Sequence, residues 1–563
     1  MNSTGTSPPF SHNGTDSSQS SPKSDLYALP SCAAEAQGHE VPMTMSRFFS
    51  LTAMSFLWTG SQIPLYLFGG IPPYIYGSIG GSDRWVWLCL ANLLALAGIC
   101  PFVGSLSDLL GRRYLAILGA TLVCIGLAVS STANTMNIFI GGMTICGAGA
   151  AAAEMAPARK RGTYVAALIF TILPWSASVL WAQLIAYYSS WRYVGLLAGV
   201  WNGLGLLFTL LFYFPPARAN SQRLSKRAIL SNIDFVGGFL SIAGLILFLA
   251  GLQWGGYQYS WKTPHVLVPL ILGFFILVAF VLWEVYGTRH PMIPRKIMQE
   301  PRTLGLILLI TCVSGANFFS ILLFWPTQSF NQFGHDPVGV GLRSLPIGFG
   351  ILAGACITLC LLSWLKGHMK ALMVASSILM TAGCGAMAVA RIDNLSSLWI
   401  ILTIASLGVG GIVVPASIMT TIICPDDLIA TISALTLSIR VVGGAIGYTI
   451  YFNIFINKFK TNAIRYIGGI MMAQLGITNT TSITDAITLT TASLLNEMQA
   501  IPGIAGNSTA YEMVVVAGQY AYAESYKYVY LTSIAFGVLA IVASMFLGDI
   551  TKYMDDHVAV EYY

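Results

Sequence analysis

The chain has 563 residues, of which 55% are hydrophobic and 9% charged, with a mean hydropathy of +0.72. A soluble domain carries about 25% charged residues, so this composition excludes a chain facing water all round and points to an integral membrane protein with many helical spans. The formal net charge of +6 is no nucleic-acid signal: Lys and Arg fall in short clusters between apolar runs, a placement that sets membrane topology.

Residues 1–44 are rich in Ser, Thr, Pro and Asn and hold no apolar run. They predict a disordered cytosolic tail rather than a signal peptide, with the first span acting as an uncleaved insertion signal. Fourteen apolar segments follow, near 47–69, 85–106, 113–132, 136–156, 163–187, 191–214, 234–253, 266–286, 303–330, 341–364, 370–390, 397–422, 432–455 and 528–548. Each has about 20 residues or more, enough to cross a hydrocarbon core of about 30 Å. The first span has room to run on through a Gly/Pro-rich stretch. Residues 457–527, rich in Thr, Ser, Ala and Ile, predict one long outer connection with room for short helices. Residues 549–563 predict a cytosolic tail.

Basic residues fix the orientation. With the N-terminus in the cytosol, the inner short loops hold Arg112, Arg113, Arg159, Lys160, Arg161, Arg218, Arg223, Lys226, Arg227, Arg289, Arg295, Lys296, Arg302, Lys366 and Lys370. The outer short loops hold only Arg84, Arg192, Lys262, Arg343 and Arg391. Asn-x-Ser/Thr sequons at Asn394, Asn479 and Asn507 all fall on the predicted outside and are candidate glycosylation sites; those at Asn2 and Asn13 fall in the cytosolic tail.

Several classes of chemistry find no support. No GxxxxGK[ST] run appears, so ATP hydrolysis is not indicated. The histidines lie in loops and tails without metal-ligand spacing, and nine of the ten cysteines lie in or beside apolar segments without a CxxC pair. They read as small buried hydrophobes. The expectation is no enzyme, no cofactor and no metal.

The run GSLSDLLGRR, Gly104 to Arg113, joins the second and third predicted spans. A carboxylate and two guanidinium groups are tolerated there only where they reach water or pack against protein. The pattern GxLxDxxGRR resembles the signature loop of the major facilitator superfamily. The resemblance implies that Gly104 and Gly111 allow close helix approach and a tight turn. It implies further that Asp108 reaches a helix N-terminus or a basic group of the opposite half, and that Arg112 and Arg113 anchor the third span. In that family the loop latches the cytoplasmic side; the plainer alternative is positive-inside anchoring alone. Leu109 departs from the pattern, which often has a basic residue there.

Fourteen spans resemble the larger class of drug:proton antiporters, with spans seven and eight as the extra pair. The runs GSQIPLYLFGGIPPYIYGSIGGSDRWVW, AEMAPARKRGTYVAALIFTILPWSAS and SIRVVGGAIGYTIYFNIF resemble the fungal trichothecene efflux pump family. The likeness covers nearly all of the chain from about 45 to 550. It implies two six-helix bundles built from inverted repeats, at 45–215 and 303–548, with two accessory spans and linkers over 216–302. It also implies alternating access around a midplane site. Two departures stand out. Met143 and Cys146 occupy the span-four places where such antiporters carry an Arg and a Gln, and LPWSAS keeps only Pro174 of the span-five antiporter motif. Proton coupling is therefore implied by the resemblance and not by these residues.

Arg440 is the outstanding interior charge, preceded by Thr431, Ser433, Thr436 and Ser438 and followed by Gly443, Gly444 and Gly447. An intramembrane Arg normally faces a cavity or a partner; a snorkelling side chain near the inner surface is the alternative. Glu154, beside Arg159, Lys160 and Arg161, is either a gate pair member or a proton carrier. Gln62, Asn92, Pro174, Gln183 and Asn317 are candidate cavity-lining residues, as are Asn202 and Gln253. Each of the amides has interhelical hydrogen bonding as its alternative. Among the aromatics, Trp58, Tyr66, Trp175 and Trp181 are candidates to stack on a substrate.

Together these features predict a monomeric plasma-membrane transporter that exports a small amphipathic toxin, secondary metabolite or drug in exchange for protons. A vacuolar or vesicle membrane, a siderophore–iron carrier, and a non-transporting receptor or scaffold are the alternatives.

Overall fold

The computed structural model describes residues 45–153, 169–214 and 233–548, apart from 257, 295, 298, 299, 366, 367, 426 and 427. The chain divides into two units, Met1–Phe48 and Phe49–Tyr563. Of the first, only the opening turn of a helix is described; everything below concerns the second.

Helices account for nearly all of its described residues. The first is α1, Met45–Gly69, followed by the short α2, Pro72–Ile79. Then come α3, Trp87–Leu110; α4, Arg112–Ser131; and α5, Met136–Ala153. The next crossing is helical from Ile169, tightens into a 3-10 turn over Leu173–Ala177, and continues as α6, Ser178–Tyr188. Next are α7, Arg192–Phe212; α8, Phe235–Trp254; and α9, Pro264–Leu282. The long helices α10, Pro301–Phe333, and α11, Pro337–Trp364, precede α12, Met369–Ala386, and α13, Leu395–Ile423. The chain then forms α14, Ile429–Ala463; the short α15, Gly469–Ala473, and α16, Thr480–Thr491; and finally α17, Ser508–Met545.

The ends follow local chemistry. Asp234 and Asp336 accept from the amides of Gly237 and Gly339, each at 2.7 Å, and so start α8 and α11. Pro337 follows at the first position of α11, where its missing N–H costs nothing.

Among the described residues, thirteen helices are long and apolar enough to cross a membrane. The first predicted span is not among them. At 25 residues, α1 has the length, but Ser55, Thr59, Ser61 and Gln62 dilute its apolar content, and three of these hydroxyl groups are buried inside the protein.

The larger departure concerns residues 457–527. They are not mainly a loop. Relative to the predicted spans, α14 continues from 455 to 463 and α17 begins at 508 rather than 528. The cause is an aromatic seam. Phe455 stacks on Tyr526 and Phe459 meets Tyr522 at a tilt, with ring centroids 4.4 Å apart in both pairs. Tyr, Ser and Thr lower the hydropathy of this stretch, so an apolar-run reading stops short of it, although its rings are as buried as any core.

Helix α4 packs on α5 and α7, and α3 on α5. Further along the chain α10 packs on α14 and α17, α11 on α13, and α12 on α13 and α17. These two groups meet along α3–α14 and α6–α11, while the α8–α9 pair rests against α3. The α4–α5 contact is nearly backbone to backbone: a Cβ added at Gly119 would fall 2.6 Å from the amide nitrogen of Ala153, and one at Gly149 2.7 Å from the Gly119 carbonyl. Lipid supplies no hydrophobic drive between helices, so such close dispersion contact is what holds them.

Candidate functional site

A cavity of about 380 Å³ lies among α1, the 169–179 segment, α10, α11, α13 and α14, a size that suits a small organic molecule. Its wall is mainly apolar. Trp58 and Tyr66 come from α1, Trp175 from the 3-10 turn, and Phe318 and Phe319 from α10. Ile347, Ile351 and Leu359 of α11 and Val413 of α13 complete the apolar side. Trp201 braces Trp175 from behind, edge-on at 5.3 Å, and the two lining rings of Tyr66 and Phe318 meet edge-on at 6.4 Å. The Tyr66 hydroxyl donates to Gln62 Oε1 at 3.0 Å, which fixes a polar spot on the same wall. Ser176, Ser344, Ser417, Thr421 and Ser433 add hydroxyls.

Arg440 carries the one formal charge among the described residues lining the cavity. It lies eleven residues into α14, about 16 Å along the helix, and its Nη1 reaches the Val413 carbonyl at 3.5 Å. The helix that bears it is pinned on both sides. Ser438 donates to the Ala97 carbonyl of α3 at 2.7 Å, and Gly315 of α10 packs directly on the Arg440 backbone.

Of the other residues predicted to line a cavity, Gln62 does. Asn92 is buried and donates to the Met143 carbonyl at 3.2 Å, joining α3 to α5. Gln183 donates to the Gly70 carbonyl at 2.7 Å, and Asn317 accepts from the Tyr451 hydroxyl at 2.9 Å. Asn202 donates to Gly60, and Gln253 accepts from Thr449 at 2.6 Å. All five take up the interhelical role. Pro174 is exposed on the outer face of its turn, and its carbonyl accepts from Trp181 Nε1 at 2.9 Å, so neither residue lies in the wall. The aliphatic lining from α11 and α13 had no sequence signal: Ile, Leu and Val in a span look alike whether they face lipid, core or cavity.

At the predicted cytoplasmic end, Gly111 ends α3 and opens α4 with φ +92°, a conformation that strains any L side chain. Gly104 faces Ala434 and Thr431 of α14, and an added Cβ would stand 2.5 Å from that of Ala434. Arg113 donates to the Leu210 carbonyl at 3.1 Å and lies 3.7 Å over the Phe214 ring, so the start of α4 is tied to the last turn of α7. Arg112 is half-buried beside it. The Asp108 side chain lies outside the described part of the structure, as do Glu154 with Arg159, Lys160 and Arg161, and Asp426 with Asp427.

Asn479 and Asn507 are exposed and cap α16 and α17, their Oδ1 atoms accepting from the amides of Thr481 and Ala510 at 3.0 and 3.1 Å. Asn394 precedes α13 and uses both ends of its amide, accepting from the Arg391 N–H and donating to the Val389 carbonyl, each at 2.8 Å.

A bundle of membrane-crossing helices around a cavity of this kind defines a multi-pass membrane protein with room for a small molecule. The profile of the fungal trichothecene efflux pump family (TRI12) matches residues 44–563, and the chain belongs to that family. It is 27% identical over 508 residues to the trichothecene efflux pump TRI12 of Fusarium sporotrichioides, covering 87% of this chain and 84% of that one. The MFS-type efflux transporter ffsH of Aspergillus flavipes is 25% identical over 468 residues, covering 81% and 79%. Among solved structures, the human transporter MFSD10 superposes with a TM-score of 0.54 at 12% identity, over 89% of this chain and all of that one. That likeness shows the fold alone. The protein is a membrane efflux transporter.

Proposed function

We propose that this transporter exports a small amphipathic secondary metabolite, toxin or drug by alternating access, in exchange for protons and as a monomer in the plasma membrane. The observation that carries the reading is the cavity: aromatic and aliphatic on most sides, with polar groups confined to Gln62, a few hydroxyls and Arg440. Such a wall suits an apolar body with a few acceptors and offers little to a hydroxamate–iron chelate. The relatives named as efflux transporters support the direction of transport.

In this reading the two halves are residues 45–215 and 303–548, with 216–302 accessory, and both termini lie in the cytosol. The α3–α4 turn, with Asp108, Arg112 and Arg113, latches the cytoplasmic end. If protons couple, Glu154 is the first carboxylate to test, its other reading being a member of a gate pair with the basic run at 159–161. The test is substrate counterflow in proteoliposomes with an imposed pH gradient. Gradient-driven accumulation that is lost in Glu154→Gln supports the reading. Accumulation that ignores the gradient in both proteins overturns proton coupling and leaves facilitated diffusion.

A further inference from the structure

We propose that Tyr76 of α2 and the C-terminal turn of α16 form a latch across the two halves, at the end of the molecule remote from the α3–α4 turn. In the export reading above, on which this rests, that end faces the outside, and the latch releases each time the cavity opens there. Tyr76 is thus a positioning residue for transport and not a substrate contact.

Three observations carry it. First, the cavity lies toward the other end. Its lining on α10 stops at Leu322 and on α14 at Val441, and every residue of α10 from Leu323 to Gln332 is buried. The far end is closed by packing. Second, α2 takes part in that closure. The Tyr76 hydroxyl donates to the Ala492 carbonyl, Tyr74 meets Phe330 of α10 edge-on at 6.2 Å, and a Cβ added at Gly77 would stand 3.6 Å from Leu494. Third, the receiving turn is built around a strained residue. Ser493, at φ +55°, is the one non-glycine residue with positive φ among those described. Around it the Leu494 N–H donates to the Leu489 carbonyl and the Ser493 N–H to that of Thr490, each at 2.9 Å. Glycine usually fills the left-handed place in such a helix ending. Strain of this sort persists only where the surroundings impose it, and it gathers at clamps and switch regions.

The chemistry suits a contact that breaks and re-forms. The last carbonyls of a helix have no partner within it and carry the negative end of its dipole. Two tyrosines share those of α16. Tyr522 of α17 donates to the carbonyls of Thr490 and Thr491 at 2.8 and 3.3 Å, a tie inside the C-terminal half. Tyr76 takes the Ala492 carbonyl from the opposite half. Ala492 is half-buried, so water replaces the Tyr76 hydroxyl when it withdraws and no acceptor is left orphaned. The backbone beyond α2 is built to turn, with Gly80 and Gly81 at φ +73° and +82°. Before it, α2 follows on α1, whose Tyr66 lines the cavity and meets Phe318. A shift of α1 against α10 at the cavity is therefore carried along both helices to the Tyr74–Phe330 and Tyr76–Ala492 contacts.

The experiment uses the purified full chain in detergent with Thr327→Cys as a reporter, a buried position on the sealed part of α10. Modification of that thiol by a charged methanethiosulfonate is timed against the chain without the reporter. Tyr76→Phe keeps the ring and removes the hydrogen bond, and is expected to speed modification about fivefold at an unchanged melting temperature. An unchanged rate in folded Tyr76→Phe overturns the proposal. A second arm does not depend on that variant. Gly77→Cys and Leu494→Cys, joined by a short bis-methanethiosulfonate, should stop counterflow of a radiolabelled naphthyl-alkyl carboxamide in proteoliposomes. Binding of the carboxamide, read by quenching of tryptophan fluorescence, should survive the tether. Exchange that continues through the tether overturns the latch and leaves the export reading standing. If the untethered protein moves no amphipath, the export reading falls, and the modification rates still decide the latch.

Discussion

Gly315 of α10 packs against the backbone carbonyl of Arg440 so closely that no side chain fits between the two helices. The charged residue of the cavity is thereby held by a position that carries no side chain at all. Gly315→Ala is expected to push α10 from α14, at a cost of about 1–3 kcal/mol or more, since the obstacle is backbone. A fall in the detergent melting temperature together with weaker substrate binding would show it; an unchanged melting temperature would mean that the two helices separate freely.

Arg113 ties α4 to the end of α7 through one hydrogen bond and the Phe214 ring. Cation–π contact is worth about 0.5–2 kcal/mol. Arg113→Ala should therefore lower both stability and transport. Arg113→Lys keeps the charge but not the flat stacking face, so a smaller loss is expected. Flux assays at matched surface expression separate the two, and equal loss in both variants would make planarity, not charge, the requirement.

His335 sits between α10 and α11 with its ring 4.3 Å from that of Phe330, and burial pulls its pKa down to about 4. The unfolded chain's His titrates near 6.5. Between these values the unfolded state binds more protons, so the stability that the neutral ring contributes is complete above about pH 6.5 and is lost as pH falls toward about 4. Melting temperatures taken from pH 7.5 to 4.5 should fall more steeply for the wild type than for His335→Gln. Parallel slopes would show that the ring is not protected in the folded protein.

Asn479 and Asn507 use their carbonyl oxygens as helix caps and leave the amide nitrogen, to which a glycan attaches, pointing away from the cap. Asn394 commits its nitrogen to Val389. Expression in a fungal host should therefore give glycosidase-sensitive mobility that depends on Thr481 and Thr509, the third residues of the first two sequons, and not on Ser396. Removing the sequons through these residues spares the caps, whose loss costs about 1 kcal/mol each. A shift that persists in the Thr481→Ala, Thr509→Ala double variant would point to Asn394 instead.

The spans were readable because a bilayer demands about 20 apolar residues at a time, and the α3–α4 turn because Gly and Arg have few alternatives at a membrane surface. Reading failed where polarity and burial part company. The C-terminal end of α14 and the N-terminal end of α17 are built on Tyr, Ser and Thr, which lower hydropathy while the rings pack as a core. The amides show the same limit: Gln62 and Asn92 look equivalent in sequence, yet one faces the cavity and the other bonds a neighbouring helix. Arg440 was conspicuous by its charge, but only the structure shows that it is part of the cavity wall.

The 35 residues of α14 form one unbroken rod, about 52 Å long at 1.5 Å per residue. Measured from the Gly315 contact, its arms are unequal: Ala434, facing Gly104, is six residues from Arg440, and Phe459, facing Tyr522, is nineteen. A tilt of about 10° would move the first by about 1.6 Å and the second by about 5 Å. A rigid tilt about that contact would therefore act as a lever with a ratio of about three to one, turning a slight loosening at the Gly104 end into a wide displacement at the aromatic end.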